Sequence, residues 1–285
     1  MGCSAQKQSI KQELFVSKLN DKEIIEIRDK ILKEDQRFQS INTNNFQVSI
    51  IQDDGIYTGE VKIKKKDGVG EYISYIDGNN SEMLNKKVKE YYLGQWKNEM
   101  KDGYGLMVYY NGNQYDYYVG EFQQDKRHGQ GYIKYSNKQQ YKGQFENDFF
   151  QGKGIYTLQD QDTYYEGEWI QNERDGLGKE QGKDDNKTWQ YEGYFSKGKR
   201  QGKGKLIIDK EYEIEGDYEN DFPKNVIITY KQQEFQDYKY EGYLAINDKQ
   251  EAIFEGTGKL TMKNNQILEG EFTQHQYKKQ EVQEK

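Results

Sequence analysis

Little in this sequence can break a strand, close a disulfide or hold a metal: it has one proline, one cysteine and two histidines. A single proline excludes Pro-rich linkers, and its setting, Asp221-Phe222-Pro223-Lys224, predicts an irregular turn there. A single cysteine, Cys3, excludes a disulfide framework within one chain and fits a reducing compartment. With only His128, His275 and Cys3 to draw on, no zinc site and no Cys–His or Ser–His nucleophile pair can assemble. No apolar run reaches membrane-spanning length, and no secretory hydrophobic segment is evident. Charge of one sign is also lacking: Lys and Arg number 42 against 49 Asp and Glu, so the net charge of −7 gives no footprint for nucleic acid.

Apolar residues are scarce as well, at 33% with a mean hydropathy of −1.21, values that by themselves suggest disorder. What offsets them is 26 Tyr and 12 Phe, rings that bury large areas while Tyr keeps a polar tip. These rings are periodic. A Tyr-x-Gly-x-aromatic unit returns about every 25 residues, at Tyr92, Tyr118, Tyr141, Tyr165 and Tyr191. Each copy continues through a polar stretch to a Gly-x-Gly pair: Gly103/Gly105, Gly129/Gly131, Gly152/Gly154, Gly176/Gly178 and Gly202/Gly204. In Tyr165-Glu166-Gly167-Glu168-Trp169 the two rings share one strand face and the two acids take the other. The intervening glycine leaves room for a ring or a neighbouring backbone. Gln171 to Asp175 makes the turn, and a second strand follows the Gly-x-Gly pair. Each unit therefore predicts one β-hairpin, and consecutive hairpins predict an antiparallel meander.

The paired Tyr-x-Gly-x-aromatic and Gly-x-Gly signals resemble the membrane occupation and recognition nexus (MORN) repeat. Weaker copies extend the resemblance to residues 56–273. They start at Tyr57, Ile214, Tyr240 and Leu268; the Ile214 copy lacks a second Gly-x-Gly, and the Tyr240 copy carries an insertion. The resemblance implies a mostly β fold, an elongated single-layer antiparallel meander of hairpins; the residues themselves offer no catalytic centre and no cofactor site. It also implies roles at membrane–cytoskeleton junctions and in cilia or flagella.

The ends divide the rest of the chain. Residues 1–20 form a flexible N-terminus beginning Met1-Gly2-Cys3, where Gly2 is a candidate for myristate and Cys3 for palmitate, two anchors that together hold a bilayer. Gln6 departs from the Ser or Thr that the myristoylation motif prefers, while Lys7 favours anionic headgroups. Residues 21–55 are a helix and lead-in, with a helix expected over 21–38, capped by Asn20 or Asp21 and striped by Ile24, Ile27 and Ile31. That stripe is expected to pack on the first hairpins and cover the exposed end of the sheet, as caps of repeat arrays do, with a partner-docking helix or a membrane-lying segment as the alternatives. Residues 274–285 are a polar tail expected to fray.

Two partner classes remain. In the first, a non-enzymatic scaffold docks a helix or extended segment of another protein in a cytoskeletal or axonemal assembly. Its contacts would come from the sheet-face rings Trp96, Phe122, Phe145, Trp169 and Phe195. In the second, Gly2 and Cys3 anchor a peripheral membrane adaptor whose densest basic cluster, Lys197, Lys199, Arg200, Lys203 and Lys205, meets anionic lipid. Lys62, Lys64, Lys65 and Lys66 form another basic cluster, and Lys126 with Arg127 a third. The recurring Glu60, Glu121, Glu168, Glu192, Glu241 and Glu271 read as a solvated strand face rather than acid–base catalysts. His128 reads as a turn residue. Either class places the chain on the cytoplasmic side, at the cytoskeleton, cilium or membrane, and open sheet edges allow self-association.

Overall fold

The computed structural model describes residues 21–38, 46, 48–51, 55–76, 87–159, 162–184, 187–209, 212–230, 239–246, 252–262, 265–273 and 276–278. The chain divides into two compact units, Met1–Phe149 and Phe150–Lys285. Gly2, Cys3 and His275 lie outside the described residues.

In the first unit, helix α1 (Lys22–Glu34) precedes eight strands: β1 (Val48–Ile51), β2 (Gly55–Lys62), β3 (Lys65–Tyr75), β4 (Val88–Lys97), β5 (Met100–Tyr110), β6 (Tyr115–Gln123), β7 (Lys126–Lys134) and β8 (Gln140–Glu146). From β1 to β8 each strand pairs antiparallel with the next. This is the meander of hairpins that the repeat predicts.

Tight turns set the hairpins. Residue pairs Ile63/Lys64, Asn98/Glu99, Gln124/Asp125 and Asn147/Asp148 all have positive φ, the signature of two-residue type I′ loops whose twist matches that of paired strands. Asn and Asp tolerate this backbone, which is why the polar stretch of the repeat is rich in them.

The two faces of the first unit differ. One carries the repeat rings. The other presents, in one cross-strand row, Leu93 beside Leu106 beside Val119, with Tyr91, Val108 and Tyr117 adjacent. Helix α1 lies on this second face, its Ile24 and Ile31 in one buried cluster with Ile56, Ile73, Leu93, Leu106, Val108 and Val119. The helix thus covers a face rather than the sheet end expected from the sequence. An apolar stripe needs an apolar partner, and the partner on offer is that row.

Both ends of α1 are pinned. Asp21 caps the first turn by accepting the Glu23 N–H at 3.2 Å, and its other oxygen accepts the Tyr115 hydroxyl at 2.6 Å. Helix α1 stops at Glu34, four residues short of expectation, because Asp35 turns extended and takes the Arg37 N–H and guanidinium. Asp35 also accepts the Tyr104 hydroxyl at 2.7 Å, and Arg37 stacks 3.9 Å over the Tyr104 ring. The Arg37 guanidinium holds the Asp35 carboxyl down at about 2.

The second unit continues with β9 (Phe149–Thr157), β10 (Tyr164–Ile170), β11 (Glu173–Asp184), β12 (Lys187–Ser196), β13 (Lys199–Ile208), β14 (Tyr212–Glu219), β15 (Phe222–Tyr230), β16 (Lys239–Ile246), β17 (Ala252–Thr261), β18 (Ile267–Thr273) and β19 (Gln276–Lys278). From β9 onward each strand again pairs antiparallel with its successor. The tail expected to fray therefore contributes a last short strand, with Tyr277 paired to Phe272. The turn before Pro223 is regular, a type I′ pair at Asn220/Asp221, because Pro223 lies beyond it, opposite Tyr218.

In this unit the outer row changes character. Where the first unit has Leu93, Leu106 and Val119, successive strands here place Glu166, Lys179, Glu192, Lys205 and Glu215 side by side. Opposite charges on facing positions attract, so this face tolerates water without a covering helix.

Candidate interaction surface

The repeat builds the same core each time. At the start of most copies the tyrosine ring lies over two glycines that face each other across a hairpin. Such pairs are Gly59/Gly70, Gly94/Gly105, Gly120/Gly131, Gly167/Gly178, Gly193/Gly204 and Gly242/Gly258. The ring needs bare backbone beneath it: a Cβ on Gly131 would come within 2.4 Å of Tyr118. Just past each pair the register slips by a bulge, which leaves a carbonyl without its ladder partner. The tyrosine hydroxyl supplies one. It donates to the backbone oxygen three residues on, Tyr92 to Gln95 at 2.9 Å, Tyr118 to Glu121 at 2.9 Å, Tyr141 to Gln144 at 2.9 Å and Tyr165 to Glu168 at 3.0 Å.

The second ring of a copy packs edge-on against this tyrosine and, for Trp96, Phe122, Phe145 and Phe195, against that of the preceding copy. In the first unit the chain of contacts runs Tyr57–Trp96–Tyr92–Phe122–Tyr118–Phe145–Tyr141, with centroids 5.1 to 5.4 Å apart. In the second it runs Trp169–Tyr165–Phe195–Tyr191–Tyr218. Edge-to-face pairs at this spacing are favourable beyond the area they bury.

This arrangement decides the sheet-face candidates. Trp96, Phe122, Phe145, Trp169 and Phe195 are all on the sheet face as expected, but none is more than 6% exposed. They hold the sheet together and have no surface left for a partner.

A cation closes the spine over several of the hairpins. Lys66 lies 4.8 Å over Trp96, Arg127 5.6 Å over Phe145, Arg174 5.1 Å over Phe195 and Arg200 4.7 Å over Tyr191. Buried Glu180 joins the last two, accepting from Arg174 and, at 2.7 Å, from Arg200 Nε. Arg200 is therefore withdrawn from the proposed lipid-facing cluster. Lys203 pairs with Asp217 and Lys205 with Glu213, both at 2.8 Å, so of that cluster only Lys197 and Lys199 stand exposed with no ion pair among the described residues. The structure does not bring the five together as one free basic patch: Arg200 faces the rings, and Lys203 and Lys205 are taken up by acids of β14.

The residue after the repeat glycine also does structural work. Gln95 and Glu121 turn back on the Gly-x-Gly bend, accepting the N–H of Tyr104 at 2.8 Å and of Gln130 at 3.0 Å. His128 lies within β7, paired with Glu121, rather than in the turn expected from the sequence, which falls at Gln124 and Asp125.

One set of residues escapes a reading of spacing. The second residue of each turn reaches back to the preceding hairpin. The N–H of Asp125, Asp148, Asn172 and Asp221 donates to the carbonyl of Lys101, Arg127, Phe150 and Arg200, and their side chains accept the N–H of those same residues at 2.7 to 3.0 Å. These staples align turn on turn. Asp148→Ala should cost about 2 kcal/mol, the lost bonds to Arg127 plus the strain of alanine at positive φ. Asp148→Asn, the residue at the equivalent place in Asn172, should stay within about 0.5 kcal/mol, both read by urea unfolding.

Beneath α1 lies one buried polar cluster. The Tyr91 hydroxyl donates to Glu71 at 2.7 Å; burial pushes the Glu71 carboxyl up, against the pull of that bond and of Arg28. Nothing positions it for chemistry. Among the described residues no group of three His, Cys, Asp or Glu could hold a metal, and no helix is long and apolar enough to cross a membrane.

Comparison with known proteins agrees with this geometry. No curated protein matches the chain. The profile of the MORN repeat family matches residues 92–114, 118–140, 141–163, 165–187 and 191–209, each match beginning at or beside a spine tyrosine. Repeats of this family generally serve as non-catalytic modules for protein or membrane interaction, and no enzyme family matches. With tight turns and a ring spine running through the matched residues, the chain carries five MORN repeats between residue 92 and residue 209.

Proposed function

We propose that the protein is a non-enzymatic scaffold that docks a helix or extended segment of a protein partner through the outer face of its sheet. One observation carries the reading: in the first unit that face already holds an amphipathic helix, α1, with Ile24 and Ile31 against Leu93, Leu106 and Val119. The spine consumes the conserved-looking rings of the repeat, so the variable outer face is what remains to be presented. The setting we propose is a cytoskeletal or axonemal assembly on the cytoplasmic side, which rests on the roles implied by family resemblance. Self-association through a sheet edge is compatible with it.

A second reading is favoured by the sequence Met1-Gly2-Cys3: a dually acylated adaptor held at a membrane. Detergent extraction of the C-terminally tagged protein from its native cells separates the two. The scaffold should remain in the insoluble pellet in mild non-ionic detergent, in wild type and Gly2→Ala alike. Release by detergent, together with a Gly2→Ala variant that is soluble without it, would establish the adaptor and sink the scaffold.

A further inference from the structure

We infer that helix α1 is a displaceable stand-in for a partner helix. It masks its own seat on the outer face of the first unit, and the partner that gains the seat is an amphipathic helix of the same pattern. This rests on the scaffold reading above and adds to it the partner's chemistry and a built-in competitor.

The seat sets the pattern. Asp21, three residues before Ile24, accepts the Tyr115 hydroxyl at 2.6 Å. Ile24 and Ile31, about two turns apart, enter the apolar cluster. Asp35, four residues after Ile31, accepts the Tyr104 hydroxyl at 2.7 Å. Between the isoleucines, Arg28 brings positive charge to Glu71. A competing helix therefore needs two aliphatic side chains seven apart, a cation between them, and an acid beyond each end.

The hold of α1 is separable from the sheet. Among the described residues, the backbone bonds of 21–38 stay within that segment, Ile25 to Asp21, Asp35 to Ile31 and Phe38 to Asp35. Its charges close on themselves as well, Arg28 on Asp29 and Arg37 on Asp35. On the sheet side, the Tyr115 hydroxyl also faces the Val88 carbonyl at 2.9 Å, so its one proton has an acceptor without Asp21. Tyr91 donates to Glu71 from strand to strand, with no help from the helix. Departure of α1 would leave both hydroxyls bonded and return water to a carboxyl whose charge burial disfavours.

What departure does expose is apolar. Leu93 and Leu106 are wholly buried and Val119 nearly so. Such a row is costly to leave bare in water, so α1 must be exchanged for another helix rather than simply lost. The polar contacts beneath it weaken the grip but fix where a helix lies along the sheet, which suits a seat that recognises one pattern. The second unit offers no such seat, because its corresponding row is charged from Glu166 to Glu215.

Two measurements on the purified full-length chain test this. In hydrogen exchange of the wild type, the α1 amides from Ile25 to Glu34 should open as a unit, about a hundredfold faster than those of β4, β5 and β6. The second uses a fluorescent peptide of residues 21–38. It should bind a chain carrying Ile24→Glu and Ile31→Glu about tenfold tighter than wild type, whose tethered α1 competes at about 1 mM. A chain with Asp21→Ala and Asp35→Ala, which loosens only the two latches, should shift binding in the same direction. The peptide bearing both Glu substitutions should bind none of these chains. The inference is overturned if the α1 amides exchange only together with β4 to β6, a result that requires no variant to fold. It is equally overturned if neither loosened chain binds the peptide better than wild type. Failure here is distinguishable from failure of the scaffold reading, which extraction from cells decides.

Discussion

Gly105→Ala should destabilise the first unit by about 4 kcal/mol and lower its thermal midpoint by about 10 °C. The reason is contact, not backbone strain, since the left-handed region is not required at Gly105. A Cβ there would lie 2.5 Å from the Tyr92 hydroxyl oxygen and 2.6 Å from the ring. The ring cannot move aside cheaply. It is held edge-on by Trp96 at 5.1 Å and Phe122 at 5.2 Å, and its hydroxyl satisfies the Gln95 carbonyl at the bulge. Overpacking costs about 1–3 kcal/mol, and a buried carbonyl left without its donor costs about 1–3 more.

Two variants frame that figure. Tyr92→Phe removes only the hydroxyl and should cost about 1–2 kcal/mol. Gly198→Asn should be nearly neutral, because Gly198 has φ 79, open space around it, and a turn position that Asn172 fills in the preceding hairpin. Chemical denaturation of the three variants should rank them in that order. A Gly105→Ala protein as stable as the wild type would mean that the tyrosine does not rest on the glycine pair, and the account of the repeat would fail with it.

That account was partly legible in the residues. Tyr-x-Gly-x-aromatic followed by Gly-x-Gly gives both strands of each hairpin, and glycine between two rings already signals a close approach. What spacing cannot give is direction. Arg127 and Arg200 read as turn charges open to lipid, yet the register places each opposite a ring, Phe122 and Phe195, and turns it inward. Asp148 and Asp221 look like generic turn residues because their partners, Arg127 and Arg200, belong to the preceding hairpin. The seat of α1 was readable in principle. The residue between Tyr and Gly is apolar in Leu93 and Val119 but charged in Lys142, Glu166, Glu192 and Glu241, a difference that marks where a covering element is required. A search for what repeats passes over it, because the signal lies in a position that varies.

Dependence on tyrosine also sets how the protein should respond to alkali, and the effect is large. Burial raises the phenols of Tyr57, Tyr92, Tyr118, Tyr141 and Tyr165, and pushes those of Tyr191 and Tyr240 up to about 12. A phenol whose folded value lies above its unfolded value of about 10 keeps its proton in the native state after the unfolded chain has lost it. The unfolded state then binds fewer protons, so stability is full below pH 10 and falls as pH rises from there through the folded values. Each such tyrosine removes about 1.4 kcal/mol per pH unit, so seven acting together remove about 10 kcal/mol one unit above pH 10, comparable with the whole stability of a domain. Circular dichroism and tyrosinate absorbance near 295 nm should therefore change together in one steep transition above pH 10, with little change between pH 7 and 9. Ionisation of most tyrosines while the β signal persists would show that the phenols are accessible in the folded protein, contrary to a buried spine bonded to the bulge carbonyls.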